Sequence, residues 1–338
     1  MKTLSAIDIG YNLVKCMATN GRQAHFPAVV GTEHKATFSL AEAKRPGLVI
    51  TLPDGPIWHV GQTALLESDY SAGRRDPEWL FSPTYHVLLC AALSELHKAT
   101  TTTSVVTGLP LEHYNALVDR AQEVFVGEHT FKRSEGTWQT VTIENVMVVT
   151  QPYGSLLDMA LTDTGQDRRN VFSTDMVAIA DVGGRTLNLL VTDGLREIAR
   201  WTKGDDMGLL KALDDIAADI HNDHPGLSPR THEVAQWVAR GHFPCRGEEV
   251  EIAPYLKPRL EPLVQKVLDR ISEVWSEPER YAALLLTGGG SVVLGPALKS
   301  RLDGVYANVT IAQDPLYANV QGYLKLARYL RLHDKPGW

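Results

Sequence analysis

Cysteine is scarce in this chain. The 338 residues hold three, Cys16, Cys90 and Cys245. An odd number at wide spacing excludes a disulfide framework, gives no zinc-site pattern and fits a reducing, cytoplasmic setting. The 12 histidines show no metal-ligand spacing such as H-x₃-H. Long apolar runs are missing too, and nothing approaches the ~18 consecutive apolar residues of a membrane span. The first residues enter a strand-like pattern at Leu4 without a secretory layout, and Leu332–Trp338 forms no amphipathic membrane helix. Positive charge is not in excess. A net charge of −7 argues against direct nucleic-acid binding and leaves any DNA to a second protein. Tandem repeats, low-complexity tracts, a nucleophile elbow around Ser155 and a stacking platform among the seven tryptophans are likewise absent. What remains is 44% hydrophobic residues, and length enough for two domains of ~100–200 residues.

Two glycine-bearing stretches stand out. One is Ala6-Ile7-Asp8-Ile9-Gly10-Tyr11-Asn12-Leu13-Val14-Lys15, and the other is Ala178-Ile179-Ala180-Asp181-Val182-Gly183-Gly184-Arg185-Thr186. Each reads as a buried strand, a tight turn and a second strand. Such a turn aims backbone N–H groups into one small space, which suits phosphate oxygens. A carboxylate at the end of an apolar strand is costly unless paired or coordinated. Asp8 and Asp181 are therefore the candidate ligands for Mg²⁺, through water. Two copies about half a chain apart predict a duplicated domain closing on a nucleotide.

Around these stretches, strands alternate with helices, which points to α/β layers. Strands are expected at Leu4–Ile9, Leu13–Ala18 and Arg22–Val30, with a hairpin turn at Thr19-Asn20-Gly21. Residues 31–75 read as a small insertion, with turns at Pro46-Gly47 and Pro53-Asp54-Gly55 and short strands at Leu48–Leu52 and Ile57–Val60. The Arg74-Arg75 pair reads as a solvated loop. Helices are expected from Pro83 to about Ala99 and over Leu111–Phe125, with strands at Ser104–Gly108, Thr137–Ile143 and Val146–Val149. In the second half the expected helices are Pro152–Leu161, Asp205–Ile220, Arg230–Arg240, Pro262–Val274, Leu294–Leu302 and Leu316–Leu332. Its strands are Val177–Asp181, Thr186–Val191, Glu197–Trp201, Ala282–Leu286 and Val305–Ile311. Pro244–Gly247 reads as a surface loop.

The motifs resemble those of the actin, DnaK-type chaperone and sugar-kinase superfamily, and within it the ParM/StbA-type prokaryotic actin-like ATPases. Asp8–Lys15 is similar to the first phosphate loop and Asp181–Thr186 to the second. Leu286-Thr287-Gly288-Gly289-Gly290-Ser291 is similar to the adenosine motif. Thr107-Gly108-Leu109-Pro110 resembles the GLP segment of ParM-like proteins, and Ala318-Asn319-Val320-Gln321-Gly322 their terminal ANxxG helix. The resemblance covers nearly the whole chain.

It implies an actin-like fold, with two duplicated ribonuclease-H-like domains carrying small inserted subdomains around a nucleotide cleft. Domain I would be 1–150 plus 315–338, with its insertion at about 31–75. Domain II would be 151–314, with its insertion at about 204–279. Gly10, Tyr11 and Asn12 would face phosphate, with Lys15 placed like actin's phosphate-contacting lysine. Gly183, Gly184 and Thr186 would take the γ-phosphate. Arg185 departs from the small or hydroxyl residue of the family, and either phosphate or solvent stays open for it. Gly288, Gly289 and Gly290 would lie against adenine and ribose, with Ser291 capping that region. Lys203, Asp205 and Asp206 could touch ribose or form a solvated turn. Gln151 is the candidate for orienting the attacking water, because Tyr153 stands where ParM-like members often carry Glu. A neutral amide is a poor proton acceptor, so slow turnover is expected. His113 reads as a surface helix residue.

The implied function is an ATPase that forms head-to-tail filaments. ATP is the expected nucleotide, with GTP left open, and Mg²⁺ the metal. DNA would be attached through an adaptor protein in plasmid segregation. The alternatives are a small-molecule kinase or a monomeric nucleotide-gated scaffold of the same superfamily.

Overall fold

The computed structural model describes residues 2–32, 47–53, 55–68, 70–72, 77–134 and 136–338. The chain packs as two compact units, Met1–Arg168 with Asn319–Trp338, and Arg169–Ala318. The Arg74-Arg75 pair, and parts of the turns at Pro46 and Asp54, lie outside the described residues.

The first unit begins with β1 (Thr3–Ile9), β2 (Leu13–Ala18), β3 (Gln23–Pro27), β4 (Val29–Thr32), β5 (Leu48–Thr51) and β6 (Ile57–Val60). Then come α1 (Gln62–Glu67), β7 (Tyr70–Ala72), α2 (Pro83–Leu96), β8 (Thr101–Leu109), α3 (Tyr114–Phe125), β9 (Gly127–Arg133), β10 (Trp138–Thr150) and α4 (Gln151–Ala160). The strands form one ten-stranded sheet in the order β3-β2-β1-β8-β10-β9-β5-β6-β4-β7. β1 is buried on both faces, as its apolar run predicts for a central strand. Gly21 supplies the positive φ of +84° that the β2–β3 hairpin turn needs. Pro83 and the Ser82 hydroxyl, which accepts from the Tyr85 N–H, start α2. α2 is buried almost all round, and Ile50 and Val60 of the insertion join the same core.

The second unit runs α5 (Val171–Thr174), β11 (Met176–Val182), β12 (Leu187–Asp193), β13 (Arg196–Glu197), β14 (Lys203–Asp205), α6 (Leu209–Asp223) and α7 (Thr231–Arg240). It continues with β15 (His242–Cys245), β16 (Glu248–Glu251), α8 (Ala253–Val274), β17 (Ala283–Thr287), α9 (Ser291–Leu302) and β18 (Val309–Ile311). Its main sheet has the order β13-β12-β11-β17-β18, with β14 also on β12. This repeats the first unit's β3-β2-β1-β8-β10. In both, the first two strands are antiparallel and the next two joins are parallel. The duplication expected from two glycine turns is thus present as two copies of one strand order.

Several elements differ from the sequence reading. The expected strand Arg22–Val30 is two strands, parted at Ala28, whose N–H bonds the Asn12 carbonyl at 2.8 Å. The expected strands at 137–143 and 146–149 are one strand, β10, with an irregularity in register between Ile143 and Asn145. β9 is an addition to the expected elements, because only His129 and Phe131 alternate inward among polar residues. Helix 111–125 opens with a 3₁₀ turn at Leu111–His113. Glu197–Trp201 is a strand only to Glu197 and then a 3₁₀ turn. α6 starts at Leu209 rather than Asp205, since Lys203–Asp205 pairs with β12. Pro244–Gly247 is not a loop but part of the β15–β16 hairpin, turned by positive φ at Arg246 and Gly247. α8 begins nine residues before Pro262. Pro254, Pro258 and Pro262 recur every fourth residue on its exposed face, where water can serve the carbonyls they leave unbonded. β18 is confined to Val309–Ile311. Helix 151–160 packs within the first unit, although the sequence reading begins the second domain at 151.

The last helix, α10 (Ala318–Leu332), crosses α4 at close range. A Cβ on Gly322 would lie 1.7 Å from the Gly154 carbonyl oxygen, and one on Gly154 would lie 2.6 Å from that of Asn319. The Asn319 side-chain oxygen accepts from the Ser155 N–H and hydroxyl, at 3.2 and 2.6 Å. The ANxxG residues therefore make this crossing. Among the described residues no helix is long and apolar enough to cross a membrane.

Candidate functional site

In the first unit, Asp8 sits at the end of β1, 1% exposed. Antiparallel pairing puts it opposite Lys15 on β2. Lys15 Nζ donates to Asp8 Oδ2 at 2.5 Å, and Gln151 Nε2 donates to Asp8 Oδ1 at 3.2 Å. Three of the residues singled out from sequence thus meet on one carboxylate. The turn is closed by the Gly10 N–H on the Leu13 carbonyl at 3.1 Å, so Gly10 contributes shape rather than a spare donor. A Cβ there would reach within 3.2 Å of Leu13 O and 4.0 Å of Lys15 Nζ. The Asn12 side-chain oxygen is buried with no hydrogen-bond partner among the described residues.

Gln151 opens α4, directly after β10. Its carbonyl accepts from the Tyr323 hydroxyl at 3.4 Å. A Cβ on Gly108 would lie 1.9 Å from that hydroxyl and 3.3 Å from Gln151 Cγ. The glycine of the GLP segment therefore makes room for Tyr323 and Gln151 to meet. Beside it lies a cleft, open to solvent and lined by Gly10, Tyr11, Trp79, Leu109, His113 and Gln151 among others. His113 lines this cleft rather than standing on an ordinary helix surface. Tyr11 stacks on Trp79 with ring centroids 5.5 Å apart. Burial, then the charge of Asp8, pushes the Tyr85 phenol well above its ordinary pKa, so it stays protonated.

In the second unit, Asp181 sits near the end of β11, 4% exposed, opposite Asn188 on β12. The turn closes in the same way, by the Gly183 N–H on the Thr186 carbonyl at 2.8 Å. Thr186 is buried, and its hydroxyl accepts from Asn188 Nδ2 at 3.3 Å. The start of α6 braces the loop. The Leu209 and Leu210 N–H groups bond the Gly183 and Gly184 carbonyls at 3.3 and 2.7 Å. A Cβ on Gly208 would meet Gly184 O at 2.5 Å.

Arg185, left open by the sequence, pairs in a fork with Asp206, Nε to Oδ1 at 2.8 Å and Nη2 to Oδ2 at 3.3 Å. Asp205 accepts from Arg270 Nε at 2.8 Å. Both acids of the 203–206 stretch are thus engaged by arginines.

The three glycines after β17 divide their work. Gly288 has φ +85°, and a Cβ there would lie 2.1 Å from Asp181 Oδ1. Gly290 donates its N–H to Val182 O at 2.7 Å, and a Cβ would meet that oxygen at 2.8 Å. Only Gly289 has room, with Leu316 Cδ1 at 3.4 Å. The Ser291 hydroxyl is buried and donates to Thr287 O at 2.5 Å, a local cap at the start of α9. Gly288 and Gly290 therefore hold the second loop in place from behind.

One cluster escapes the sequence reading. His86, Cys90 and His129 come together within the first unit. The signal is an H-x₃-C step on α2, visible only if cysteine is counted with histidine.

No curated protein matches the chain significantly. Solved structures do. A 15-stranded ParM filament from Clostridium botulinum is 20% identical, with TM-score 0.78, over 97% of this chain and 99% of that one. A pCBH ParM non-polymerisable quadruple mutant is 19% identical, with TM-score 0.79, over 97% and 99%. Ta0583, an archaeal actin homologue in complex with ADP, is 19% identical, with TM-score 0.78, over 96% and 99%. At such identities these likenesses establish the actin-like fold. Residues 6–154 match the family described as actin-like proteins, N-terminal domain, and residues 179–300 match archaeal actin homologue MreB-like, C-terminal. With both glycine turns inside those matched spans, the chain belongs to the prokaryotic actin-like proteins.

Proposed function

We propose that this protein is a nucleotide-dependent, filament-forming ATPase. The observation that carries the reading is the repetition of one device. A buried aspartate, a glycine two residues on and a turn closed onto the third residue after that glycine occur once in each unit, on the same strand order. A single such turn is ordinary hairpin chemistry. Two of them, each ending in a carboxylate that is costly to bury, favour a metal–phosphate ligand. The ADP complex of one structural relative and the filament of another support the same reading.

The residues present suit a magnesium nucleotide. The buried Asn12 oxygen lacks a donor that a metal-bound water would supply, and a Cβ at Gly10 would intrude toward Lys15. Asp8 and Asp181 are the proposed metal-side carboxylates, through water. Lys15 and the 183–186 loop are the proposed phosphate contacts. When bound, Mg²⁺ would neutralise charge on the transferring phosphoryl group. Gln151 spends its amide N–H on Asp8, which leaves Oε1 as the acceptor end for a water proton. It orients a water but takes up no proton, so turnover is slow. Gly289, the one glycine of its trio with room, is the proposed approach point for adenine and ribose.

Head-to-tail association is a heterologous contact, which propagates unless it closes. By resemblance to ParM-type proteins, the filament would segregate plasmid DNA through an adaptor, and the net charge of −7 supports an adaptor over direct contact. Light scattering and pelleting with Mg-ATP, Mg-GTP and Mg-ADP, with phosphate release followed in parallel, test this. Polymer with a triphosphate that disassembles as phosphate appears is the expected result. Nucleotide binding without polymer, or transfer of phosphate to a sugar, overturns the filament. Calorimetry showing no purine triphosphate uptake overturns the whole reading.

A further inference from the structure

Among the described residues, one trio of metal-ligating side chains gathers outside the two glycine turns. His86 and Cys90 lie four residues apart on α2, one turn above the other on the same face. His129 points inward from β9. His86 Nε2 is 3.3 Å from His129 Nδ1 and 3.6 Å from Cys90 Sγ, and all three donor atoms lie within 4.8 Å of one another. A tetrahedral zinc ion, with Zn–N near 2.05 Å and Zn–S near 2.3 Å, has N···N edges of about 3.3 Å and N···S edges of about 3.6 Å. The two measured separations match those edges.

Hydrogen bonding alone serves this trio poorly. His129 Nε2 lies 2.7 Å from the Phe125 carbonyl and so carries the proton, which leaves the lone pair on Nδ1. That lone pair faces His86 Nε2, as does the Cys90 sulfur. If His86 Nε2 is protonated it serves His129, and the thiol hydrogen has no acceptor there. If it is unprotonated it accepts from the thiol, and two lone pairs meet. A cation takes all three. The Phe125 carbonyl then plays the part of the outer partner that fixes a ligating histidine's tautomer.

We infer that His86, Cys90 and His129 form a site for a single zinc-class ion, with water as the fourth ligand. Nitrogen and sulfur donors select zinc over magnesium, so the site is separate in chemistry from any nucleotide metal. On binding, the ion takes the Cys90 thiolate and displaces the thiol proton to solvent. Cys90 is fully buried and His129 nearly so, while His86 is half-buried and gives the ion a way in. Once filled, the site fastens α2 to β9 beside the Arg133–Glu95 ion pair, which already joins them.

Cobalt(II) titration of the metal-stripped full chain, without nucleotide, tests the inference. The expected result is saturation at about one equivalent, with a thiolate-to-cobalt band in the near ultraviolet and strong four-coordinate visible bands, both removed by added zinc. Cys90→Ser should lose the thiolate band, while Cys245→Ser keeps it. Wild-type protein with native circular dichroism that shows only weak six-coordinate bands, or none, overturns the site without recourse to any variant. So does a thiolate band that survives in Cys90→Ser.

Discussion

The two glycine turns share a backbone and differ in what they press against their aspartate. In the first, the cross-strand partner of Asp8 is a lysine that forms an ion pair with it, and a glutamine holds the other oxygen. In the second, the cross-strand partner of Asp181 is Asn188, and the carboxylate is backed by the Gly288 backbone. One carboxylate therefore sits on an ion pair, while the other lies close against a glycine backbone. The same duplicated scaffold has been specialised in two directions. The first copy holds a lysine and a glutamine on its carboxylate, the groups proposed to contact phosphate and orient water. The second is braced by α6 and the β17–α9 turn.

The largest expected effect removes either carboxylate. Asp181→Ala and Asp8→Ala should each lower magnesium-dependent phosphate release by about 100-fold or more. Asp8→Ala should also strand Lys15 and cost about 3 kcal/mol of stability in urea unfolding. An equal stability loss in both variants would break the contrast between a charged and a packed loop. Next comes Gly288→Ala, which forces a left-handed backbone and a clash on Asp181. It should cost roughly 1–3 kcal/mol, against about 0.5 kcal/mol for Gly289→Ala. Matching midpoints for the two would show that the second loop is not held by packing. Gln151→Ala should slow hydrolysis roughly 10-fold while leaving nucleotide affinity in place. Unchanged turnover would remove the water-orienting role from the first loop. A small effect is also expected for Arg185→Ala, where loss of a partly exposed ion pair with Asp206 should cost no more than about 1 kcal/mol. A large fall in nucleotide affinity there would mean that Arg185 leaves Asp206 for phosphate.

Much of this is legible in the sequence because its signals are local. An apolar run followed by Gly-x-Asn or Gly-Gly fixes a buried strand and a turn, and the Asp8–Lys15 spacing follows from hairpin register. What escapes it depends on distant partners. β9 carries only two inward residues, and its pairing with β10 makes it a strand. α8 runs through two interior prolines because its apolar face is buried and its prolines face water. The glycines of the ANxxG and GLP segments are legible as motifs but not as contacts, since Tyr323 and Gly154 lie far apart in sequence. Arg185 is undecidable for the same reason, its partner being 21 residues on. The His86–Cys90–His129 trio needs the β9 placement that the sequence does not reveal.

The ten-stranded sheet has one narrow place. Among the described residues β5 meets β9 through two residue pairs, Ile50 with Arg133 and Thr51 with Lys132, whereas β8 and β10 share a long ladder. A ribbon bends where its cross-links are fewest. The outer strands are therefore tied to the inner ones, which carry the first aspartate, by few ladder bonds there. α2, which packs on both β5 and β9, is the splint across that waist.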